Sequence, residues 1–216
     1  MKVRGWIFIF LLYTLIILHP VEALASSFER ELVDDWAFYN SELISQEAEA
    51  SGEPRIVKLP VEFDDLNGKV YGYGTFIKVV TLPEDVANAM VGLELPFTYS
   101  AAKVYVNGEL YEEVGRVADN EEEHDRNLKS VIIPIKPDGE ILEIAIQISS
   151  FEHIRGGFSS APIIGDWEMI FNGFMWERYL SIFVMAIIFI VGVMTLVIGL
   201  LERNERLFLI FGLFSI

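Results

Sequence analysis

No cysteine occurs anywhere in the 216 residues. Disulfide frameworks, thiolate metal sites and cysteine nucleophiles are thereby excluded, and an apolar core has to hold the fold by itself. Histidine is nearly as scarce: three in all, of which only His124 and His153 lie beyond the N-terminal apolar run. There is no zinc motif, nucleophile elbow or phosphate loop. Paired carboxylates could in principle hydrolyse glycosides, but among 32 acidic residues some pairing arises by chance. No catalytic residue is expected. Positive charge is thin too, with 16 lysines and arginines and a formal net charge of −16. Such a surface repels phosphate backbones, so nucleic acid is not an expected partner. No cofactor and no metal is expected either. The acidic run Asn120–Asp125 offers oxygen ligands that would suit calcium, but it lacks the spaced ligands and glycine turn of a calcium loop and reads as a solvated loop.

Apolar residues, by contrast, make up 52% of the chain, more than a soluble domain needs. They coexist with so much charge because the two are segregated: residues 26–178 hold 29 of the 32 acidic and 12 of the 16 basic residues. Lys2 and Arg4 precede an apolar run from Gly5 to Leu18, and Ala23-Leu24-Ala25 puts small residues where a signal peptidase cleaves. Residues 1–25 therefore read as a signal peptide. The alternative is an uncleaved anchor helix, for which the apolar run is short. Either version places residues 26–178 on the extracytoplasmic side of a cell membrane.

Residues 179–201 contain no charged side chain. At about 1.5 Å per residue they reach roughly 34 Å, enough to cross a bilayer, and the lipid bilayer is an expected partner. Trp176 and Tyr179, with Trp167, Phe171 and Phe174 just before them, read as an aromatic collar at the outer interface. Residues 202–206 form a charged cytoplasmic turn. Residues 207–216 begin a second apolar run too short to span, so the chain is expected to be a fragment that ends inside a second transmembrane helix.

Between these elements the pattern is β. Tyr73–Leu82 and Val91–Leu95 alternate and end at Pro83 and Pro96; Ala102–Val106 runs into Asn107-Gly108, a tight-turn signal, and Glu109–Val114 returns. Val131–Ile135 and Ile141–Ile148 are joined through the turn Pro137-Asp138-Gly139. In the last of these strands Leu142, Ile144, Ile146 and Ile148 share one face, and Glu143 and Gln147 the other. Phe76 and Tyr105 read as core-facing. Phe28–Gln46 fits a strand, a helix, or both in succession, and Asp64-Asp65 with Asn67-Gly68 reads as a turn. Many short strands with little helix predict a mainly β, two-sheet sandwich over residues 26–175, followed by transmembrane α-helices.

Tyr71-Gly-Tyr-Gly-Thr-Phe-Ile77, Leu93-Glu-Leu-Pro96 and Val104-Tyr-Val-Asn-Gly-Glu-Leu110 are similar to the strands of galactose-binding-like jelly rolls. Gln147-Ile-Ser-Ser-Phe-Glu-His-Ile-Arg-Gly-Gly157, then Pro162-Ile-Ile-Gly165 and an apolar helix, resembles the extracellular domain and membrane junction of bacterial seven-transmembrane receptors with diverse intracellular signalling modules. Trp36-Ala-Phe-Tyr39 resembles that family's first strand, while Ser150 departs from it by replacing the usual asparagine. The resemblance implies an external jelly-roll sensor for a carbohydrate or another small ligand. It also implies a cytoplasmic output module in the full-length protein, beyond the end of this chain, where any catalytic activity would lie. A homodimer is open to such a receptor. A tethered carbohydrate-binding or adhesion module without output is the rival reading.

His153, Arg155, Gly156 and Gly157 are the candidate site. Histidine and arginine could face a ligand cleft, since arginine pairs with carboxylates and sugar hydroxyls. The same four residues could instead fasten the last strand to the membrane junction, the glycines taking backbone angles denied to other residues. Their place just before the first span favours the joint.

Overall fold

A computed structural model describes residues 28–45, 51–152, 155–201, 210, 211, 213 and 214. The signal-peptide segment 1–25, the charged turn 202–206 and His153 lie outside the described residues.

The domain is a sandwich of two antiparallel sheets. One has four strands in the order β1 (Glu29–Glu31), β10 (Ile163–Asp166), β5 (Val91–Leu95), β8 (Val131–Ile135). The other has six, in the order β3 (Arg55–Val57), β2 (Trp36–Asn40), β4 (Gly72–Thr81), β9 (Ile141–Ser150), β6 (Ala101–Val106), β7 (Glu109–Val114). From β4 onward almost every connection crosses from one sheet to the other. The exception is the hairpin β6–β7, where Asn107 and Gly108 both take positive φ (49° and 82°) and Val106 pairs with Glu109. This is the turn geometry that matches strand twist and that Asn-Gly favours. The turn at residues 137–139 also forms, but it carries the chain between sheets. Of the stretch Phe28–Gln46, the described residues 28–45 hold strands, with β1 preceding the Trp36–Tyr39 strand, and Asp64-Asp65 lies in a short helix, α1 (Phe63–Asn67).

Period-two alternation buries one face of strands such as β4, β6 and β8. Leu142, Ile144, Ile146 and Ile148 are at most 1% exposed and meet Leu93, Leu95, Ile133 and Ile135 from the facing sheet. Phe76 anchors an aromatic cluster, with ring centroids 4.6 Å from Phe38 and 5.0 Å from Phe158. Tyr105 does not join it. Val104 and Val106 fill the core, so the residue between them must point to the opposite face, where it is half-buried. That outer face is partly roofed at β9. Gln147 Nε2 donates to the Ile44 carbonyl at 2.9 Å, Ile44 N–H donates to Thr75 Oγ1 at 2.9 Å, and Ser149 lies beneath the 117–125 loop.

The C-terminal helix α2 runs from Trp167 to Leu201 without a break, with a mean hydropathy of 3.0 in its most apolar stretch. It is long and apolar enough to cross a membrane. It begins at the residue after β10, so its first dozen residues precede the uncharged run.

Candidate functional site

Three places concentrate unusual chemistry, and the chain's topology brings two of them to one end of the sandwich. At that end β2, β5 and β9 finish and β4, β6, β8 and β10 begin; among the described residues it comprises 40–42, 61–71, 96–100, 115–130, 151, 152 and 155–162. The opposite end holds 82–90, 107–108 and 136–140.

The first place is the sequence-derived site. Arg155, Gly156 and Gly157 form a strap across the segment that opens α1. The Gly156 carbonyl accepts from Phe63 N–H at 2.9 Å, and Phe158 N–H donates to the Val61 carbonyl at 3.0 Å. Gly157 has φ +114°, and a Cβ there would stand 2.4 Å from the Val61 carbonyl oxygen. Only glycine fits that backbone comfortably. Gly156 is required for a different reason: a Cβ would lie 2.7 Å from both Phe63 Cδ2 and Ser150 Cβ. Arg155 is half-exposed, 3.8 Å from Glu62 Oε1, with its guanidinium 5.9 Å from the Tyr99 ring centre. Ser150, where the family resemblance departs, is fully buried against Gly156, and its Oγ has no hydrogen-bond partner among the described residues. The strap therefore ties Val61–Phe63 to the segment leading into β10.

The second place is a cavity of about 250 Å³ beside the strap, lined by Asn40, Ser41, Asn67, Lys69, Tyr71, Gly72, Tyr73 and Phe151. Its amides are pre-positioned. Asn67 Nδ2 donates to Asn40 Oδ1 at 3.2 Å, and Asn67 Oδ1 accepts from Lys69 N–H at 2.9 Å. Gly68 ends α1 in the left-handed region with φ 72°, its N–H donating to the Asp64 carbonyl at 2.9 Å. This cap turns Asn67 toward Asn40. Sequence reading saw Asn67-Gly68 as a turn and the Tyr71–Tyr73 stretch as strand. It could not see that β2 would deliver Asn40 to the same place.

The third is the contact between sheet and helix. Ile170, 4% exposed, presses on the outer face of the four-stranded sheet where Gly92 and Gly165 are paired across β5 and β10. A Cβ on Gly92 would stand 2.9 Å from Ile170 Cβ, and one on Gly165 would stand 3.3 Å from Ile170 Cδ1. Trp167 N–H donates to the Met90 carbonyl at 3.2 Å, satisfying one of the donors that a helix start leaves open. Asp166 Oδ2 accepts from Phe28 N–H at 2.9 Å. Farther along, Phe174, Glu177, Arg178, Ser181 and Ile182 enclose a cavity of about 430 Å³ with Glu94 and Ser130. Burial, then the nearby Glu177 and Glu29, raise the pKa of Glu94. The helix thus starts at the far end of the sandwich and runs back along the sheet toward the end that carries the strap and the amide cavity. The aromatic collar divides accordingly. Trp176 and Tyr179 are exposed at the start of the uncharged run, whereas Trp167 stacks on Phe171 at 5.4 Å, twelve residues or about 18 Å earlier.

The acidic run at 120–125 is pinned by its histidine. His124 Nδ1 lies 2.9 Å from Ser149 Oγ, which accepts from Ala118 N–H at 3.2 Å, and the imidazole ring stands 5.4 Å from Phe151. Ser149 is 0% exposed, so the pair fastens the loop to the sheet. Burial lowers the pKa of His124, against the pull of Glu152 and Asp125.

Neither a protein-family model nor a curated protein matches the chain. Solved structures do. A β-glucuronidase from Faecalibacterium prausnitzii is similar over 68% of this chain and 32% of its own, at 16% identity and TM-score 0.50. A β-glucuronidase from Ruminococcus gnavus, solved with an N1-substituted uronic isofagomine, is similar over 69% of this chain and 31% of its own, at 15% identity and TM-score 0.51. These likenesses show the fold. The chain spans about a third of each of those enzymes.

Proposed function

We propose that this chain is the membrane-anchored, ligand-sensing part of a receptor, its sandwich outside the cytoplasm, and that it binds a polyhydroxylated ligand of the carbohydrate class. The observation that carries the reading is the lining of the 250 Å³ cavity. Two amides locked to each other, a hydroxyl, two phenols, a phenyl ring and the side chain of Lys69 converge there. Amides donate and accept toward vicinal hydroxyls, and aromatic faces cover the apolar face of a sugar ring. Among the described residues no carboxylate lines the cavity, whereas glycoside hydrolysis needs two, so binding without turnover is part of the proposal. The strap of Arg155, Gly156 and Gly157 lies beside the cavity, and β10 leads from it directly into the membrane helix. That continuity supports sensing, because a change at the cavity has a short covalent route to α2.

The full chain in lipid nanodiscs, titrated against a panel of neutral and acidic oligosaccharides, tests the binding. Asn67→Ala and Tyr71→Ala should each weaken a bound glycan at least tenfold, about 1.4 kcal/mol, with Ile141→Ala at the opposite end unchanged. Unaltered affinity in both cavity variants would remove the site. Hydrogen exchange then separates a sensor from a mere tether: ligand should change protection at Trp167–Ile170 in a sensor and leave it alone in a capture module. Alkaline phosphatase fused near Ser160 should be active, and fused near Asn204 inactive, if the sandwich is outside.

A further inference from the structure

Exposed apolar side chains are scattered over the sandwich. Ile141, at the end where α2 starts, is 65% exposed, so exposure by itself singles out nothing. Depth along the helix does. The uncharged run of α2 begins at Tyr179, and Ser181 and Ile182, in its first turn, share a cavity with Ser130 and Glu94 of the four-stranded sheet. Phe174, Glu177 and Arg178 line the same cavity, so Ser130 stands beside the stretch Phe174–Ile182 in which α2 passes into the span. Leu128 and Lys129 immediately precede Ser130, and Phe97 follows β5, whose Leu95 pairs with Val131 of β8. Leu128 is 53% and Phe97 40% exposed. Phe97 is held rigidly: its ring meets Tyr99 edge-on at 5.2 Å, and its carbonyl accepts from Ser159 Oγ at 2.6 Å.

We propose that the sandwich itself rests on the bilayer, with Phe97 and Leu128 inserted in the interfacial layer of the lipid. This rests on reading α2 as a membrane span. A span that leaves the domain at this end, with Ser130 beside the Phe174–Ile182 stretch, leaves no room for a linker that would hold the rim away from the lipid. Large apolar side chains at that height enter the headgroup layer, where burial of their area is favourable and a neighbouring cation can reach phosphate. Lys129 is the cation in place beside Leu128. Acidic side chains occur at both ends, Glu84, Asp138 and Glu140 at the opposite one and the run from Asp119 to Asp125 at this one, so the contact is confined to the corner of Phe97, Leu128 and Lys129 beside the helix. The amide cavity consequently opens near the membrane surface, which favours ligands presented at that surface.

The absence of cysteine makes the test direct. Single variants Phe97→Cys, Leu128→Cys, Ile141→Cys and Val193→Cys of the full chain, labelled with an environment-sensitive fluorophore, are reconstituted into phosphatidylcholine vesicles. Quenching by aqueous iodide is compared with quenching by lipid spin-labelled near the headgroup. Labels at 97 and 128 should be blue-shifted, several-fold less accessible to iodide than the label at 141, and quenched by the lipid probe. If the label at 193 is shielded while that at 97 or 128 is as open to iodide as that at 141, the span stands and the proposed contact is overturned. An iodide-accessible label at 193 overturns both.

Discussion

Ile170 and Gly92 fit each other so closely that a methyl group on the glycine would come within 2.9 Å of Ile170 Cβ. With Gly165 paired to Gly92 across β10 and β5, the two glycines clear a seat in the sheet for one helical side chain. The contact fixes where the helix lies on the sandwich. Its removal should be measurable from either side. Ile170→Ala leaves a cavity and should cost about 2–5 kcal/mol of stability. Gly92→Val overfills the seat and should cost roughly 1–3 kcal/mol. In a cycle with Gly92→Ala, the double variant should lose less than the sum of the singles, because Ile170→Ala removes Cγ1 and Cγ2 from the clash. Thermal unfolding in detergent, with limited proteolysis around residues 158–168, reads both effects. Strict additivity would mean that the two residues do not share an interface.

Glu94 lies beneath the same helix, with a pKa raised first by burial and then by Glu177 and Glu29. A carboxyl whose folded-state pKa is raised holds its proton more firmly in the folded state. Its contribution is fully present below the ordinary value of 4.5 and is lost as pH rises through the folded value. Glu94→Gln should therefore stabilise the chain at pH 7 and flatten the dependence of unfolding temperature on pH above 4.5. A variant less stable than the parent at neutral pH would show that the charge is compensated in its place.

His124 titrates in the opposite sense. Burial lowers its pKa from 6.5, so below that value the unfolded chain takes up protons that the folded chain resists. Stability should be fully present above pH 6.5 and decline as pH falls through 6.5 and the folded value, with the 117–125 loop the first segment to lose protection. His124→Gln should remove that decline. An unchanged pH profile in the variant would place the acid sensitivity elsewhere.

The paired glycines of the strap should respond differently to repair. Gly156→Ala collides with two side chains, Phe63 and Ser150, so Phe63→Leu should recover part of the lost stability. Gly157→Ala meets the Val61 backbone and a φ of +114°, a strain of about 1–3 kcal/mol that no side-chain change relieves. Equal rescue of both by Phe63→Leu would contradict the assigned cause. Arg155→Ala should leave the unfolding temperature nearly unchanged, its ion pair being solvent-exposed. A tenfold loss of glycan affinity in that variant would make the arginine a ligand contact.

The sequence alone determined the sheets' inner faces, the hairpin at Asn107-Gly108 and the apolar helix, because period two, turn chemistry and an uncharged run of that length are local properties. Its reading of Gly157 as a backbone requirement came from the same source. Pairing is not local. That Asn40 and Asn67 would meet, that Gly92 would stand opposite Gly165, and that Ile170 would find both depended on how the chain crosses between sheets. Lys78 marks the boundary most sharply. Alternation puts it on the core face between Phe76 and Val80, where a lysine would not be expected, yet it is 6% exposed and donates to the Asp34 carbonyl beside Trp36. Only the loop between β1 and β2, folded over that edge of the sandwich, supplies the partner that makes a buried ammonium tolerable. Tertiary structure likewise decided where the helix starts. The uncharged run begins at Tyr179, but the helix begins at Trp167, because the sheet offers Ile170 a seat that hydropathy cannot register.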